Sequence, residues 1–197
     1  MARIAIFHSV LGVRPGIHDA AGRLRAGGHE VQVVDQYDGR VFDDYERAGA
    51  HAEAIGYPAL MAAAEAAVEG LDDGFVAAGF SNGAGMAEYV ATRRRCAGVL
   101  MVSGTLPLAM LGVDAWPAGV PVQVHAAEGD PLRNRNWYDG FLADVRESGV
   151  DPETFDYPIS GHLFADASLP EEYDAQSTEL LWTRALGFCD RVAPHGG

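Results

Sequence analysis

The chain has 197 residues, about the length of one domain built on one core, so a single domain over residues 1–197 is expected. With 48% hydrophobic and 21% charged residues it has the composition of a soluble globule, which excludes a disordered chain or a collagen-like fibre. Fourteen basic against 28 acidic residues give a net charge of −14 at pH 7, which repels phosphate backbones and anionic lipid headgroups and makes nucleic acid and membrane surfaces poor partners.

Short apolar runs alternate with longer helix-periodic segments, the pattern of an α/β protein with a mostly parallel sheet of about six strands and helices on both faces. Residues 4–7 predict the first strand and 17–26 a helix, which Gly27 and Gly28 end. The second strand is expected over 31–34. Residues 35–57 are acidic, mixed in character and only partly helical, whereas 58–69 are alanine-rich and helical by propensity up to Gly70. A third strand at 75–80 runs into a helix at 84–95, followed by strands at 98–103 and 120–126 with a Pro/Gly-rich stretch between them. The last expected elements are a helix at 137–148, a sixth strand at 154–157 and a C-terminal helix at 175–192. No repeat, linker or low-complexity tract interrupts them.

All fourteen basic residues are arginine, so chemistry that needs a lysine amine is excluded: Schiff bases, pyridoxal phosphate attachment and the P-loop lysine. The two cysteines, Cys96 and Cys189, are too few for a disulfide framework or a four-ligand zinc site and read as small buried hydrophobes. No segment approaches the roughly 18 apolar residues of a membrane span, and the N-terminus lacks the apolar run of a signal peptide, so a cytoplasmic protein is expected.

The chemistry concentrates at strand ends. Phe75-Val76-Ala77-Ala78-Gly79-Phe80-Ser81-Asn82-Gly83 is an apolar strand running into G-x-S-x-G and then a helix. In such an elbow the serine takes a strained backbone conformation, and a Cβ at Gly79 or Gly83 would collide with the adjoining strand or helix. The helix that follows aims its N-terminal N–H groups at the site. G-x-S-x-G alone also arises by chance as a structural turn, so partners are required. A serine hydroxyl is a poor nucleophile at neutral pH without a general base, and in hydrolases of this kind the order is Ser, acid, His.

Downstream, the strand ending at Ala126 leads into Ala127-Glu128-Gly129-Asp130-Pro131, which presents Asp130 on a loop. Glu128 is its nearest competitor and Asp166 a more distant one; Gly129 and Pro131 favour Asp130. After the next strand, Ser160-Gly161-His162-Leu163-Phe164 places His162 in a loop. A turn aspartate or a surface histidine is the ordinary reading of either residue alone. The coincidence of three roles in the required order points to a Ser81-Asp130-His162 triad. His8, His18, His29, His51, His125 and His195 lack metal-ligand spacing and read as structural or solvated, and no cofactor or metal is expected.

With Phe7-His8-Ser9-Val10-Leu11-Gly12 after the first strand, Gly22-Arg23-Leu24-Arg25-Ala26-Gly27-Gly28-His29 at a helix end and Asp35-Gln36-Tyr37-Asp38-Gly39 after the second strand, the chain resembles the dienelactone hydrolase family of α/β-hydrolases over nearly its whole length. The resemblance implies an α/β-hydrolase fold without a large lid and cofactor-free hydrolysis of small esters or lactones. It also implies Ser81 as nucleophile, His162 as base, Asp130 as orienting acid, and the backbone N–H groups of Val10 and Asn82 as oxyanion hole. Two departures stand out: the type enzyme uses a cysteine where this chain has Ser81, and a glutamate where it has Ser9. A serine cannot use the low-pKa thiolate route, so a full Ser-His relay is required.

Arg14, Arg133 and Arg135 fall in loops near the expected rim and could hold a substrate carboxylate, although solvated loop charges fit them too. Trp116, with Leu106, Met110 and Leu111, could wall an apolar substrate pocket or simply cover the sheet. A dinucleotide-binding domain shares the alternating pattern, but Gly83-Ala84-Gly85 meets Glu88 where the third glycine of G-x-G-x-x-G belongs. A non-catalytic hydrolase-fold protein that binds a ligand or partner is the alternative that the sequence leaves open. The oligomeric state does not follow from these residues.

Overall fold

The computed structural model describes residues 1–193. In chain order the elements are β1 (Arg3–Phe7), α1 (Pro15–Ala26), β2 (Glu30–Val34), α2 (Tyr45–Ile55), α3 (Tyr57–Ala67), β3 (Phe75–Phe80), α4 (Asn82–Arg93), β4 (Cys96–Val102), β5 (Val122–Ala127), α5 (Arg135–Glu147), β6 (Glu153–Tyr157) and α6 (Ala175–Val192). The strands form one sheet in the order β2-β1-β3-β4-β5-β6, and every neighbouring pair is parallel. This is an α/β-hydrolase-like architecture. Among the described residues no helix is long and apolar enough to cross a membrane.

Strand composition follows position in the sheet. The central β3, FVAAGF, is buried along its whole length, as a parallel strand covered on both faces must be. The edge strands β2 and β6 instead alternate exposed and partly buried residues and are buried only at their last residue. Helices cover the two faces separately: Ala5, Phe7, Ala77 and Met101 pack with α3, α4 and α5, while Ile4, Ile6, Val76 and Leu100 pack with α1 and α6. The aromatic rings of Phe7, Phe75, Phe141, Phe164 and Phe188 are fully buried, each contributing about 1.5–3 kcal/mol of burial free energy.

Local chemistry explains the boundaries. Pro15 opens α1, and the Asp44, Asn134 and Asp174 side chains accept N–H groups in the first turns of α2, α5 and α6. The mixed segment expected to be only partly helical contains the whole of α2, and Gly56, at φ 89°, ends it and starts α3 at once. The fourth strand begins at Cys96, two residues ahead of expectation, because its pairing with Phe75 extends across an irregular register. The Pro/Gly-rich stretch before β5 holds one short 3-10 turn, Leu108–Leu111.

Cys96 and Cys189 are buried, and burial pushes both thiols up to about 12. His125 lies wholly inside the β5–β6 region, with Nδ1 2.8 Å from the Tyr157 hydroxyl and Nε2 2.9 Å from Gln123 Oε1. The amide oxygen only accepts, so the proton sits on Nε2 and the Tyr157 hydroxyl donates to Nδ1. Burial lowers the imidazole to about 3, so the folded state holds it neutral while the unfolded chain protonates it near the ordinary 6.5. Stability from this group is therefore lost as pH falls below 6.5, by about 3 kcal/mol at pH 4. Urea unfolding between pH 7 and 4 should show a shallower loss of stability in His125→Gln than in the wild type.

Candidate active site

The strand order reverses between β1 and β3, and in open α/β sheets the crevice beyond the carboxyl ends of strands at such a switch point receives ligands. Phe7 pairs with Gly79, so the loop after β1 and the turn after β3 meet there. Ser81 occupies that turn at φ 52° and ψ −116°, a strained conformation for a residue with a Cβ. Close packing imposes it: a Cβ on Gly79 would overlap the Gly83 carbonyl, and one on Gly83 would overlap the Phe7 and His8 carbonyls. Gly104, after β4, is held against the Ser81 backbone in the same way.

Asp130 follows β5. Its Oδ1 accepts the Leu132 N–H at 2.8 Å, a turn that Pro131 preorganises, and its Oδ2 lies 2.6 Å from His162 Nδ1. His162 follows β6, and its Nε2 lies 2.6 Å from Ser81 Oγ. A carboxylate only accepts hydrogen bonds, so Asp130 keeps the proton on Nδ1 and leaves Nε2 to accept from the serine hydroxyl. Asp130 and His162 are buried and Ser81 is half-buried, which shields the relay while leaving the hydroxyl reachable. A hydroxyl beside an imidazole oriented in this way is an arrangement suited to nucleophilic attack.

Asn82 follows Ser81 in the chain, and the loop after β1, which carries Val10, packs its Phe7 and His8 carbonyls against Gly83. Asn82 opens α4, so its N–H has no partner within the helix. In the β1 loop, Ser9 takes the Leu11 N–H on Oγ at 3.2 Å and the Gly12 N–H on its carbonyl at 3.0 Å, which leaves the Val10 N–H unclaimed among the described residues. His8 braces the loop: Nδ1–H donates to the Ser9 carbonyl at 2.6 Å and Nε2 accepts the Gln36 N–H at 3.1 Å. Burial lowers the His8 pKa and keeps it neutral in this role.

The other candidates go elsewhere. Arg14 is buried, donating to the Phe42 carbonyl and Asp43 at 2.6 Å each and to Ser168 at 3.1 Å, with Asp166 at 3.4 Å. Asp166, weighed as an alternative acid, is thus Arg14's counterion. Arg133 donates to Asp156 at 2.6 Å, and its guanidinium lies 4.1 Å from the Tyr138 ring centroid. Arg135 reaches the Glu128 carbonyl at 3.1 Å, and the Glu128 side chain is exposed. Trp116 is buried with Phe141 at 5.5 Å and donates to the Val120 carbonyl at 2.8 Å, so it covers the sheet rather than facing Ser81. Glu88 is buried in α4 and accepts the Leu106 N–H at 2.9 Å; burial raises its carboxyl well above the ordinary range. His195 lies outside the described residues.

Three contacts around His162 had no sequence signal beyond the small residues beside them. Ser103, at φ 59° after β4, donates from Oγ to the His162 carbonyl at 2.5 Å. The Leu163 N–H donates to Glu172 Oε2 at 2.6 Å, and the Tyr45 ring stands edge-on to the imidazole with centroids 6.0 Å apart.

The parallel sheet and the strained serine turn at its switch point define an α/β-hydrolase-like protein. Residues 2–193 match the model of the dienelactone hydrolase family, and the chain belongs to that family of hydrolases. No curated protein matches the sequence. Among solved structures, m3DLH shares 23% identity at a TM-score of 0.83, covering 98% of this chain and 87% of that one. A dienelactone hydrolase-like promiscuous phosphotriesterase from metagenomic libraries shares 21% at a TM-score of 0.83, with the same coverage. A thermostable esterase from Pseudomonas putida ECU1011 shares 17% at a TM-score of 0.68, covering 94% and 72%. At these identities the likeness is one of fold.

The packing at Gly83 leaves no room for a methyl group without moving β1. Gly83→Ala should cost about 3 kcal/mol as an overpacking defect, lowering the melting temperature in calorimetry by roughly 6–12 °C.

Proposed function

We propose that the protein is a serine hydrolase that cleaves small carboxylic esters or lactones through an acyl-enzyme. The observation that carries the reading is His162 standing 2.6 Å from both Asp130 and Ser81, with its two ring nitrogens in complementary roles. In the first step His162 Nε2 takes the Ser81 proton as Oγ attacks the carbonyl carbon. The carbonyl π electrons move onto oxygen, and the oxyanion is received by the N–H groups of Val10 and Asn82. The intermediate collapses, the C–O bond to the leaving group breaks, and His162 returns the proton to the departing oxygen. Water then attacks the acyl-enzyme with His162 again as base, releasing the acid and restoring Ser81. Asp130 holds the imidazole's tautomer and offsets its transient charge.

A fluorophosphonate probe should label the wild type and leave Ser81→Ala unlabelled. The same substitution should reduce p-nitrophenyl acetate turnover by on the order of 10⁴-fold or more. A folded wild type that resists labelling and turns over no ester of a short-chain panel would instead favour a non-catalytic binding protein.

The charges near the site support a neutral substrate. The guanidiniums of Arg14 and Arg133 are already engaged by Asp43, Asp166 and Asp156, and the net charge of −14 repels anions at long range. An ester without a formal charge should show kcat/KM about 10-fold or more above that of a similar ester carrying a free carboxylate. Added salt should narrow the gap.

A further inference from the structure

We infer that Glu172 is a positioning residue for His162, holding the backbone on both sides of the imidazole through its side chain and its own carbonyl, with Tyr45 as the strut behind it. The inference rests on the reading of Ser81 and His162 given above.

Its basis is the number of contacts that converge on one glutamate. Glu172 Oε2 accepts the N–H of Leu163, the residue after His162, at 2.6 Å. The Glu172 carbonyl packs so closely on Gly161, the residue before His162, that a Cβ there would overlap it. Tyr45, the first residue of α2, donates its hydroxyl to the same carboxylate, 2.9 Å from Oε1 and 3.1 Å from Oε2. Burial and the bond to Glu172 push the Tyr45 phenol upward, in keeping with its role as donor. Ser103 holds the His162 carbonyl at 2.5 Å from beneath.

The chain between His162 and Glu172 is built to make this return. Successive turns bond Asp166 N–H to the Leu163 carbonyl, Leu169 N–H to Asp166 and Glu172 N–H to Leu169, each at 2.9 Å, and Asp174 N–H closes on the Phe164 carbonyl at 3.0 Å. Phe164 is fully buried beneath these turns. Arg14 ties the same loop to the residues before α2, through Asp166 and Ser168 on one side and Phe42 and Asp43 on the other. The imidazole therefore has little freedom except rotation about its own side-chain bonds, which Asp130 restricts.

Proton transfer falls off steeply when donor and acceptor separate, and both chemical steps pass through His162 Nε2. Loosening the loop should lower kcat while leaving KM nearly unchanged. Glu172→Gln keeps an oxygen for the Leu163 N–H, and the new amide can donate to the Tyr45 oxygen, because a phenol both donates and accepts.

Steady-state kinetics on a p-nitrophenyl ester test this. Glu172→Ala should lower kcat about 10- to 100-fold with KM within about 2-fold of wild type, and Glu172→Gln should stay within about 3-fold in kcat. If Glu172→Ala does not fold, Tyr45→Phe carries the test, with an expected fall in kcat of about 3-fold or more at constant KM. Wild-type kcat in Glu172→Ala, a loss confined to KM, equal damage from Ala and Gln, or wild-type kcat in a Tyr45→Phe standing in for an unfolded alanine variant would each overturn the inference. Ser81→Ala run in parallel separates the two claims. Turnover surviving Ser81→Ala refutes the serine-hydrolase reading itself, whereas an inactive Ser81→Ala beside an unimpaired Glu172→Ala refutes only the role of Glu172.

Discussion

The site depends on a distance. Ser81 follows β3 and His162 follows β6, and β4 and β5 lie between them in the sheet. At about 4.8 Å per strand spacing the two residues start roughly 14 Å apart. The loop after β6 has to travel back over the ends of two strands, and each of those ends contributes a support. Ser103, just past β4, takes the His162 carbonyl, and Asp130, past β5, takes the imidazole Nδ1. Glu172 and Tyr45 close the span from above. The hydrogen bond between His162 and Ser81 is the last contact in this bridge, so its geometry is set by the others.

The other end of the bridge is rigid for a different reason. Around Ser81 the backbone of β3, α4 and the β1 loop approach so closely that only glycine fits at positions 79 and 83. That proximity keeps the serine in its strained conformation and brings the Val10 loop alongside the first turn of α4. Strain at Ser81 and Ser103 is thus balanced by packing, and both strained residues make their hydrogen bonds to the same histidine.

Electrostatics near the site is organised for structure. Arg14 bridges the loop after His162 to the segment before α2, and Arg133 fastens the loop after Asp130 to β6 through Asp156. Desolvating a guanidinium demands such partners, because an unpaired buried cation costs several kcal/mol. Both arginines consequently stiffen the two loops that carry Asp130 and His162.

Much of this was legible in the amino-acid sequence, because it rests on local rules. Short apolar runs alternating with helix-periodic segments set out six strands in parallel-sheet style, glycines marked helix ends, and G-x-S-x-G between a strand and a helix pointed to Ser81. The order of Ser81, Asp130 and His162, each after a strand, pointed to their meeting. The helix from Tyr45 was obscured by its mixed composition, since its Asp44 cap and its contact through Tyr45 are what commit it. The fate of the loop arginines, the covering role of Trp116 and the support of His162 by Ser103, Glu172 and Tyr45 belong to the tertiary structure alone. Each depends on which distant carbonyl or carboxylate arrives beside a side chain, a matter of strand order and close packing that no local pattern encodes.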